Sequence, residues 1–143
     1  CENRRARHEY SILDTMEAGV ALAGSEVKSL RAGGASLAEA YVRFEDGEAW
    51  LVDAHIAAYE PASSQNHDPR RRRKLLLRRT EMDRWAKRAR ERGLTAVPLR
   101  LYFRGPWAKL EVGLGRGRKL HDKRAAMKER DDRREMDRGA RGG

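Results

Sequence analysis

The sequence predicts a mainly β domain with peripheral helices, followed by a basic C-terminal tail. Three observations favour this fold class. Apolar residues alternate with polar ones in several segments of the first 114 residues, as they do in half-buried strands. Turn signals such as Asp46-Gly47 and Gly105-Pro106 separate these segments. Beyond the three glycines between positions 113 and 117, few apolar residues remain to be buried. We therefore place the folded domain at residues 1–117 and the tail at residues 118–143.

The first predicted strand starts at Tyr10, after a basic segment from Asn3 to His8 that is either a solvated arm or a direct RNA contact. Gly19 permits the bend that a closing barrel requires. Glu17 falls on the outward face, where it is either a solvated carboxylate or an acceptor for base or ribose donors. The inward face is predicted to hold the alternating apolar residues Tyr10, Ile12, Met16, Ala18, Val20 and Leu22.

Two further features follow before the middle of the chain. A short helix is predicted from Glu26 to Arg31, with Gly33-Gly34 ending it. Its apolar residues Val27 and Leu30 are predicted to face the core. Its basic residues Lys28 and Arg31 are predicted to face outward. Asp46-Gly47 then predicts a type I′ hairpin that joins two antiparallel strands.

A longer helix is predicted after the loop between Pro61 and Pro69. Thr80 and Asp83 have the spacing of a capping box, and Gly93 is a natural C-terminal stop. One stripe of this helix packs on the core through Met82, Trp85, Ala86 and Ala89. Two strands complete the domain, with the inward residues Thr95, Val97, Leu99, Leu101 and Phe103 in one and Ala108, Leu110, Val112 and Leu114 in the other.

About six strands with a bent first strand favour a small closed antiparallel barrel of the oligonucleotide-binding type. A split α+β sheet is the alternative architecture.

The charge of the chain points to a polyanionic partner. The sequence has 32 Lys+Arg against 22 Asp+Glu, a net charge of +10 and a pI of about 10.3. Nucleic acid is favoured over a membrane because no apolar run approaches the ~18 residues of a spanning helix. With Cys1 as its single cysteine and no visible secretory signal, the chain is expected to be cytoplasmic; whether the native N-terminus extends before Cys1 stays open.

The densest basic cluster is Arg70 to Lys74, whose like charges are expected to recruit phosphate; a solvated loop is the alternative. Together with basic residues elsewhere, it gives the candidate phosphate contacts Arg7, Lys28, Arg31, Arg72, Arg73 and Lys74.

The sequence shows no persuasive catalytic or metal site. The glycines of G-L-G-R-G have the wrong spacing for a dinucleotide fingerprint, and no phosphate-loop motif is present. The four histidines are dispersed, and none stands in a motif with a serine or cysteine nucleophile. His67-Asp68 lacks further ligands at metal spacing. We therefore expect a binding module without enzymatic activity, cofactor, metal or small-molecule substrate.

Five segments carry a family resemblance. They are N-R-R-A-R-H-E-Y from Asn3, E-A-G from Glu17, G-S-E-V-K-S-L-R-A-G from Gly24, D-P-R-R-R-R-K-L-L-L from Asp68 and G-R-K-L-H-D-K-R from Gly117. In this order they resemble small protein B, the SsrA-binding protein family of bacterial trans-translation. Gly115 departs from the family pattern, which often has Ala there and so suggests a looser junction in this chain.

The resemblance implies an oligonucleotide-binding barrel that holds the tRNA-like domain of transfer-messenger RNA and delivers it to the A site of stalled ribosomes. Rescue of the ribosome and tagging of the nascent peptide would follow. The alanylated RNA would travel with elongation factor Tu (EF-Tu) and GTP. By position, Glu17, Leu76 and Lys109 are similar to the RNA-contacting residues of the family, although Leu76 could instead pack in the core.

For the tail, the resemblance implies a segment that is disordered in the free protein and helical in the empty mRNA channel and decoding centre. The residues assigned to the ribosome are Gly117, Lys119, His121, Asp122, Lys123, Arg124, Lys128, Arg130 and Arg134. The alternative function is a ribosome-associated structural or assembly protein, whose tail would be a fixed anchor on ribosomal RNA.

Overall fold

A computed structural model describes residues 1–59 and 66–117, and these ranges are mainly β. They contain three helices, α1 (Arg4–Glu9), α2 (Gly24–Arg31) and α3 (Arg79–Arg92). The strands in the same ranges are β1 (Tyr10–Val20), β2 (Ala35–Ser36), β3 (Tyr41–Glu45), β4 (Glu48–Val52), β5 (His55–Ile56), β6 (Arg73–Leu76), β7 (Thr95–Arg104) and β8 (Trp107–Gly117). The predicted fold class, mainly β with peripheral helices, is confirmed.

Six of the strands form one antiparallel sheet in the order β3-β4-β6-β1-β8-β7, and β2 pairs with β5 in a small second sheet. The central strands β1 and β8 are the longest, with 11 residues each. Within the described residues, no hydrogen-bonded ladder joins the edge strands β3 and β7. The expected closed barrel is therefore not confirmed.

The core lies on one face of the six-stranded sheet, which we call the inner face. Strand residues such as Leu51, Leu110 and Val112 are fully buried there, and α3 covers them with Trp85. The predicted hairpin at Asp46-Gly47 is confirmed, because both residues have the positive φ angles, 52° and 73°, that a type I′ turn needs. Gly93 ends α3 in the left-handed conformation, also as predicted.

Two bulges correct the predicted faces of the long strands. The pairing with β8 shifts between Ile12 and Asp14 on β1, and between Pro98 and Arg100 on β7. An extra residue in a strand reverses the face of every residue beyond it. The predicted inward sets therefore lose Tyr10, Ile12 and Val97, which precede the bulges, and Leu99, the extra residue of β7. With Ala6, these residues form a second cluster on the opposite, outer face of the sheet.

This second cluster is covered by α1, so the basic N-terminal segment is not a solvated arm. Asn3 is buried and caps α1 by accepting a hydrogen bond from the Ala6 amide at 3.1 Å. Its side-chain amide donates to the carbonyls of Leu37 and Pro98 at 3.1 and 2.8 Å. One side chain thereby fixes the start of α1 to β7 and to the turn before β3.

One local expectation about a helix cap is also corrected, and one glycine gains a structural reason. The helix α3 starts at Arg79 with Arg78 at its N-cap and no side-chain cap bond, so the Thr80–Asp83 capping box is wrong. Gly115 also has a role within the sheet that its departure from the family pattern did not suggest. A Cβ at this position would lie 2.4 Å from the Ser11 carbonyl oxygen, so glycine allows β1 and β8 to approach closely.

Candidate nucleic-acid interface

The strand register brings four residues into line on the outer face of the sheet. Leu76 of β6 pairs with Gly19 of β1, Gly19 pairs with Lys109 of β8, and Lys109 pairs with Tyr102 of β7. We call Leu76, Gly19, Lys109 and Tyr102 the outer-face row. Their sequence neighbours Val20, Leu75, Leu101 and Leu110 are buried on the inner face, as the alternation of a strand requires.

Leu76 is 54% exposed, whereas Leu75 beside it is 3% exposed. The core-packing alternative for Leu76 is therefore wrong. Gly19 makes room for this arrangement, because a Cβ on Gly19 would lie 3.1 Å from the Leu76 Cβ. The Leu76 side chain can therefore lie over the outer face of β1, because Gly19 opposite it has no side chain.

Glu17 joins the row by reaching across β8 to β7. Its carboxylate accepts hydrogen bonds from the Tyr102 hydroxyl and from Arg104, whose Nη2 lies 2.7 Å away. The hydrogen bonds from Arg104 and then Tyr102 hold the pKa of Glu17 below its usual value, and the charge of Lys109 acts in the same direction. Glu17 is thus a fixed carboxylate among cationic and phenolic donors.

Tyr102 and its neighbours extend the site along β7. The Arg100 guanidinium stacks on the Tyr102 ring at 4.2 Å from its centroid. Partial burial and the bond to Glu17 raise the pKa of the Tyr102 hydroxyl, so this group stays a donor at neutral pH. Arg7 of α1 reaches the same face and donates to Glu111 of β8 at 2.7 Å.

The outer face continues onto β6 and β4. Lys74 is two residues from Leu76 and pairs with Trp50, which in turn pairs with Arg43 of β3. The Arg72 guanidinium stacks on the Trp50 ring at 4.2 Å. Basic side chains interleaved with aromatic rings are typical of surfaces that bind single-stranded nucleic acid.

Arg73 is a correction to the predicted phosphate contacts. It alternates with Lys74 on β6, so its side chain shares the inner face with Leu75 and is fully buried. Its guanidinium donates to Glu26 of α2 at 2.6 Å and to the Pro69 carbonyl at 3.1 Å. Arg73 therefore holds the fold together and is not available to RNA in this structure.

The basic cluster Arg70 to Lys74 has counter-charges within the chain, four carboxylates for its five cations, which the sequence did not indicate. Glu26 accepts from Arg71 and Arg73, and Arg72 pairs with Glu45 at 3.0 Å. Two more exposed pairs complete the cluster, Arg70 with Glu39 and Lys74 with Glu48. Exposed pairs contribute at most about 1 kcal/mol each, so phosphate can still displace these carboxylates.

Lys28 and Arg31 contact other parts of the molecule. The Lys28 ammonium lies 5.8 Å from the centroid of the Tyr59 ring, and the Arg31 guanidinium lies 4.2 Å from that of Phe103. Phe103 packs against the inner-face core. Neither contact places these two cations in the outer-face row.

Most of the predicted tail residues lie outside the described residues. These are Lys119, His121, Asp122, Lys123, Arg124, Lys128, Arg130 and Arg134. Gly117 is the exception, since it ends β8 and pairs with Tyr10 of β1. Gly117 therefore lies next to the C-terminal end of α1, at the opposite end of β8 from Lys109.

Two features are absent from the described ranges, a metal-binding cluster and a long apolar helix. No group of three or more His, Cys, Asp or Glu side chains there is placed to hold a metal ion. No helix within those ranges has the length and apolar character to cross a membrane.

Sequence reasoning missed Tyr102, Arg104 and Trp50 as partners of the site. The alternation of β7 places Tyr102 and Arg104 on the face of the sheet opposite to that of Phe103. Their position next to Glu17, however, depends on the pairing of β8 with both β1 and β7. The outward position of Trp50 could have been predicted, because Trp50 alternates with Ala49 and Leu51, which are buried, in the predicted hairpin.

Comparisons with known proteins agree with the resemblance. The model of the SmpB protein family matches residues 1–142. An SsrA-binding protein of Synechococcus sp. (strain JA-3-3Ab) is 56% identical over 99% of this chain and 92% of its own length. One from Salinispora arenicola is 56% identical over 96% of this chain and 87% of its own length.

A solved structure agrees as well. A chain from work described as "tmRNA-SmpB: a journey to the center of the bacterial ribosome" is 53% identical, with a TM-score of 0.69 and coverage of 82% of both chains. At this identity and coverage the likeness extends from the sequence to the fold, and the chain belongs to the SmpB protein family.

Proposed function

We propose that this protein binds the tRNA-like domain of transfer-messenger RNA and delivers it to stalled ribosomes for trans-translation. The RNA lies on the outer face of β6, β1, β8 and β7. The main support from the structure is the outer-face row, which sets an exposed leucine, a lysine and a tyrosine side by side with Glu17. Names of the relatives support the choice of RNA, since they are SsrA-binding proteins.

The chemistry of the row suits a structured RNA with unpaired bases. Lys109 supplies a cation for phosphate, Glu17 supplies acceptors for base or ribose donors, and Leu76 supplies an apolar contact for an unstacked base. None of these roles requires bond making or breaking. We therefore propose a binding function without catalysis, in the cytoplasm, with EF-Tu and GTP joining the alanylated RNA. No observation favours the alternative of a ribosome assembly protein.

The architecture that we propose for this role is an oligonucleotide-binding barrel, closed by side-chain packing between β3 and β7. Val42 of β3 and Leu101 of β7 belong to the same buried cluster, which supports the closure. Nuclear Overhauser contacts between side chains of β3 and β7 in solution would establish it.

Sequencing of the RNA that copurifies with the protein tests the function directly. We expect one abundant RNA, transfer-messenger RNA, that dissociates with the protein from stalled ribosomes. A protein without the tail segment serves as the matched control and should retain the same RNA. Recovery of ribosomal RNA alone would overturn the proposal in favour of an assembly role.

A further inference from the structure

Trp107 is the most exposed large apolar residue among those the structure describes. It is 70% exposed, compared with 56% for Leu13 and 54% for Leu76. It starts β8 directly after the Gly105-Pro106 turn, where Gly105 has a φ of 59°. A single exposed apolar residue is common on protein surfaces, so its meaning depends on what surrounds it.

The surroundings of Trp107 belong to the outer face. It precedes Lys109 by two residues on β8, so the two side chains lie on the same face of the sheet. It pairs with Arg104 of β7, whose guanidinium Glu17 holds at 2.7 Å. The indole therefore lies beside the outer-face row and next to a cation whose position is fixed by a carboxylate.

We infer that Trp107 is a stacking platform for one unpaired nucleobase of the bound RNA, at the edge of the surface that holds its phosphates. This inference rests on the proposed function, which places RNA on the outer face. Proteins recognise single-stranded nucleotides by stacking them on aromatic rings, and each stack is sequence-tolerant because every base has a π-face. Lys109, two residues along β8 on the same face, supplies the cation for a phosphate next to the stacked nucleotide, while Arg104 stays paired with Glu17.

The test compares Trp107→Leu, which removes the π-face, with Trp107→Phe, which keeps one. Tyr41→Leu is the matched control, because Tyr41 is an exposed aromatic residue, 42% exposed, on the edge strand β3. Affinity for full-length transfer-messenger RNA is measured over a range of salt concentrations. We expect Trp107→Leu to weaken binding roughly 5- to 100-fold, as the loss of one base stack does, and Trp107→Phe to lose much less.

Two further readouts separate stacking from other roles. The slope of log affinity against log salt should be unchanged in Trp107→Leu, since no charge is lost, and so should its melting temperature. The fluorescence is measured in a Trp50→Phe protein, whose remaining tryptophans are the buried Trp85 and the exposed Trp107. RNA should quench this fluorescence, and adding Trp107→Phe should remove most of the quenching.

The outcomes distinguish this inference from the function on which it rests. Wild-type affinity in Trp107→Leu, or undiminished quenching when Trp107→Phe is added to the Trp50→Phe protein, would overturn the stacking role and leave the proposed function intact. Failure of the wild type itself to bind transfer-messenger RNA would strike the proposed function instead.

Discussion

At the scale of single residues, Glu17 is defined by the groups that donate to it. Arg104 and Tyr102 hold the pKa of its carboxyl below the usual value, with Arg104 as the larger cause. We predict that the carboxyl carbon of Glu17 titrates at a lower pH than an ordinary glutamate, and that Arg104→Leu raises this midpoint towards the usual value. Carbon-detected NMR titration of both proteins measures it. The same midpoint in both would mean that Arg104 does not hold Glu17 in solution.

The lowered pKa of Glu17 sets the pH range over which its contact with Arg104 and Tyr102 is present. A carboxyl whose pKa is lowered by folding stabilises the folded state above its usual pKa of about 4.3. This stabilisation is lost as the pH falls through the lowered pKa. Tyr102 has a raised pKa, so its hydroxyl donates below the usual value of about 10 and stops donating only at higher pH. The contact between these side chains is therefore intact at neutral pH.

Lys109 is expected to contribute charge to RNA binding. We predict that Lys109→Ala weakens affinity for transfer-messenger RNA and reduces the slope of log affinity against log salt by about one. Lys87→Ala removes an exposed lysine from α3 and should leave that slope unchanged. Measuring the affinity of both variants at several salt concentrations gives the two slopes to compare. Equal slopes in the two variants would show that Lys109 makes no phosphate contact.

Leu76 is expected to contribute an apolar surface. We predict that Leu76→Asp abolishes RNA binding with little change in circular dichroism or melting temperature, because the side chain is more than half exposed. Leu75→Asp is the matched variant and should unfold the domain, since it buries a carboxylate in the core. A large loss of stability in Leu76→Asp would instead make Leu76 a structural residue.

At the scale of elements, α2 is attached to β6 by a buried ionic cluster. Glu26 is completely buried and accepts hydrogen bonds from Arg71 at 3.0 Å, from Arg73 at 2.6 Å and from the Ala23 amide at 2.8 Å. Burial alone would raise the pKa of Glu26, but these three partners together hold it below its ordinary value. The cluster thereby positions the strand that presents Lys74 and Leu76.

We predict that Glu26→Gln lowers the free energy of unfolding by about 3–5 kcal/mol, because Arg73 is left as an uncompensated buried charge. Replacing both partners, Glu26→Gln with Arg73→Met, should recover much of this loss. Chemical denaturation of the three proteins measures it. Since Glu26 has a lowered pKa, the difference should persist at neutral pH and shrink as pH falls below about 4. An undiminished difference in acid would contradict the role of its charge.

Elements with local determinants were predictable, and those that depend on distant partners were not. The Asp46-Gly47 hairpin and the Gly93 stop follow from the backbone preferences of adjacent residues. The burial of Arg73 depends on Glu26, 47 residues away. The bulges of β1 and β7 likewise depend on how each strand pairs with β8, so the faces of Ile12 and Leu99 could not be read from alternation alone.

The candidate site divides in the same way. Glu17, Leu76 and Lys109 came from the family resemblance. Alternation gave the outward position of Glu17, and it implied the same for Lys109, which lies between the inward residues Ala108 and Leu110. The partners Tyr102 and Arg104 required the register across three strands. The internal pairing of the basic cluster could not be predicted, because its carboxylate partners come from distant parts of the chain, such as Glu26 and Glu45.

At the scale of the whole molecule, charge is distributed over two parts that we expect to act separately. Residues 118–143 have ten Lys+Arg against six Asp+Glu and few apolar residues. In the folded domain, cations such as Arg7, Arg72 and Arg104 already have carboxylate partners. A strongly paired surface favours selective contacts over general attraction to polyanions, because each phosphate must displace a carboxylate first.

The last prediction separates these two parts. Truncation after Lys119 should leave affinity for transfer-messenger RNA nearly intact and abolish tagging of peptides on stalled ribosomes. The outer-face row remains whole in the truncated protein, whereas the segment expected to become helical in the mRNA channel is gone. The i,i+4 pairs Lys128/Asp132 and Glu129/Arg133 contribute only about 0.2–0.5 kcal/mol each, so ribosomal RNA must supply most of the ordering energy.

Lys109→Ala is the complementary control for this truncation, because it should lose affinity for the RNA while its tail is unchanged. Binding assays with purified RNA and tagging assays with stalled ribosomes, applied to both variants, give four measurements. We expect the truncated protein to fail only in tagging, and Lys109→Ala to fail first in binding and to regain tagging when the RNA concentration is raised. Tagging by the truncated protein would contradict a separate role for the tail. So would amide resonances that show residues 120–138 already helical in the free protein, because the ribosome would then have no helix left to induce.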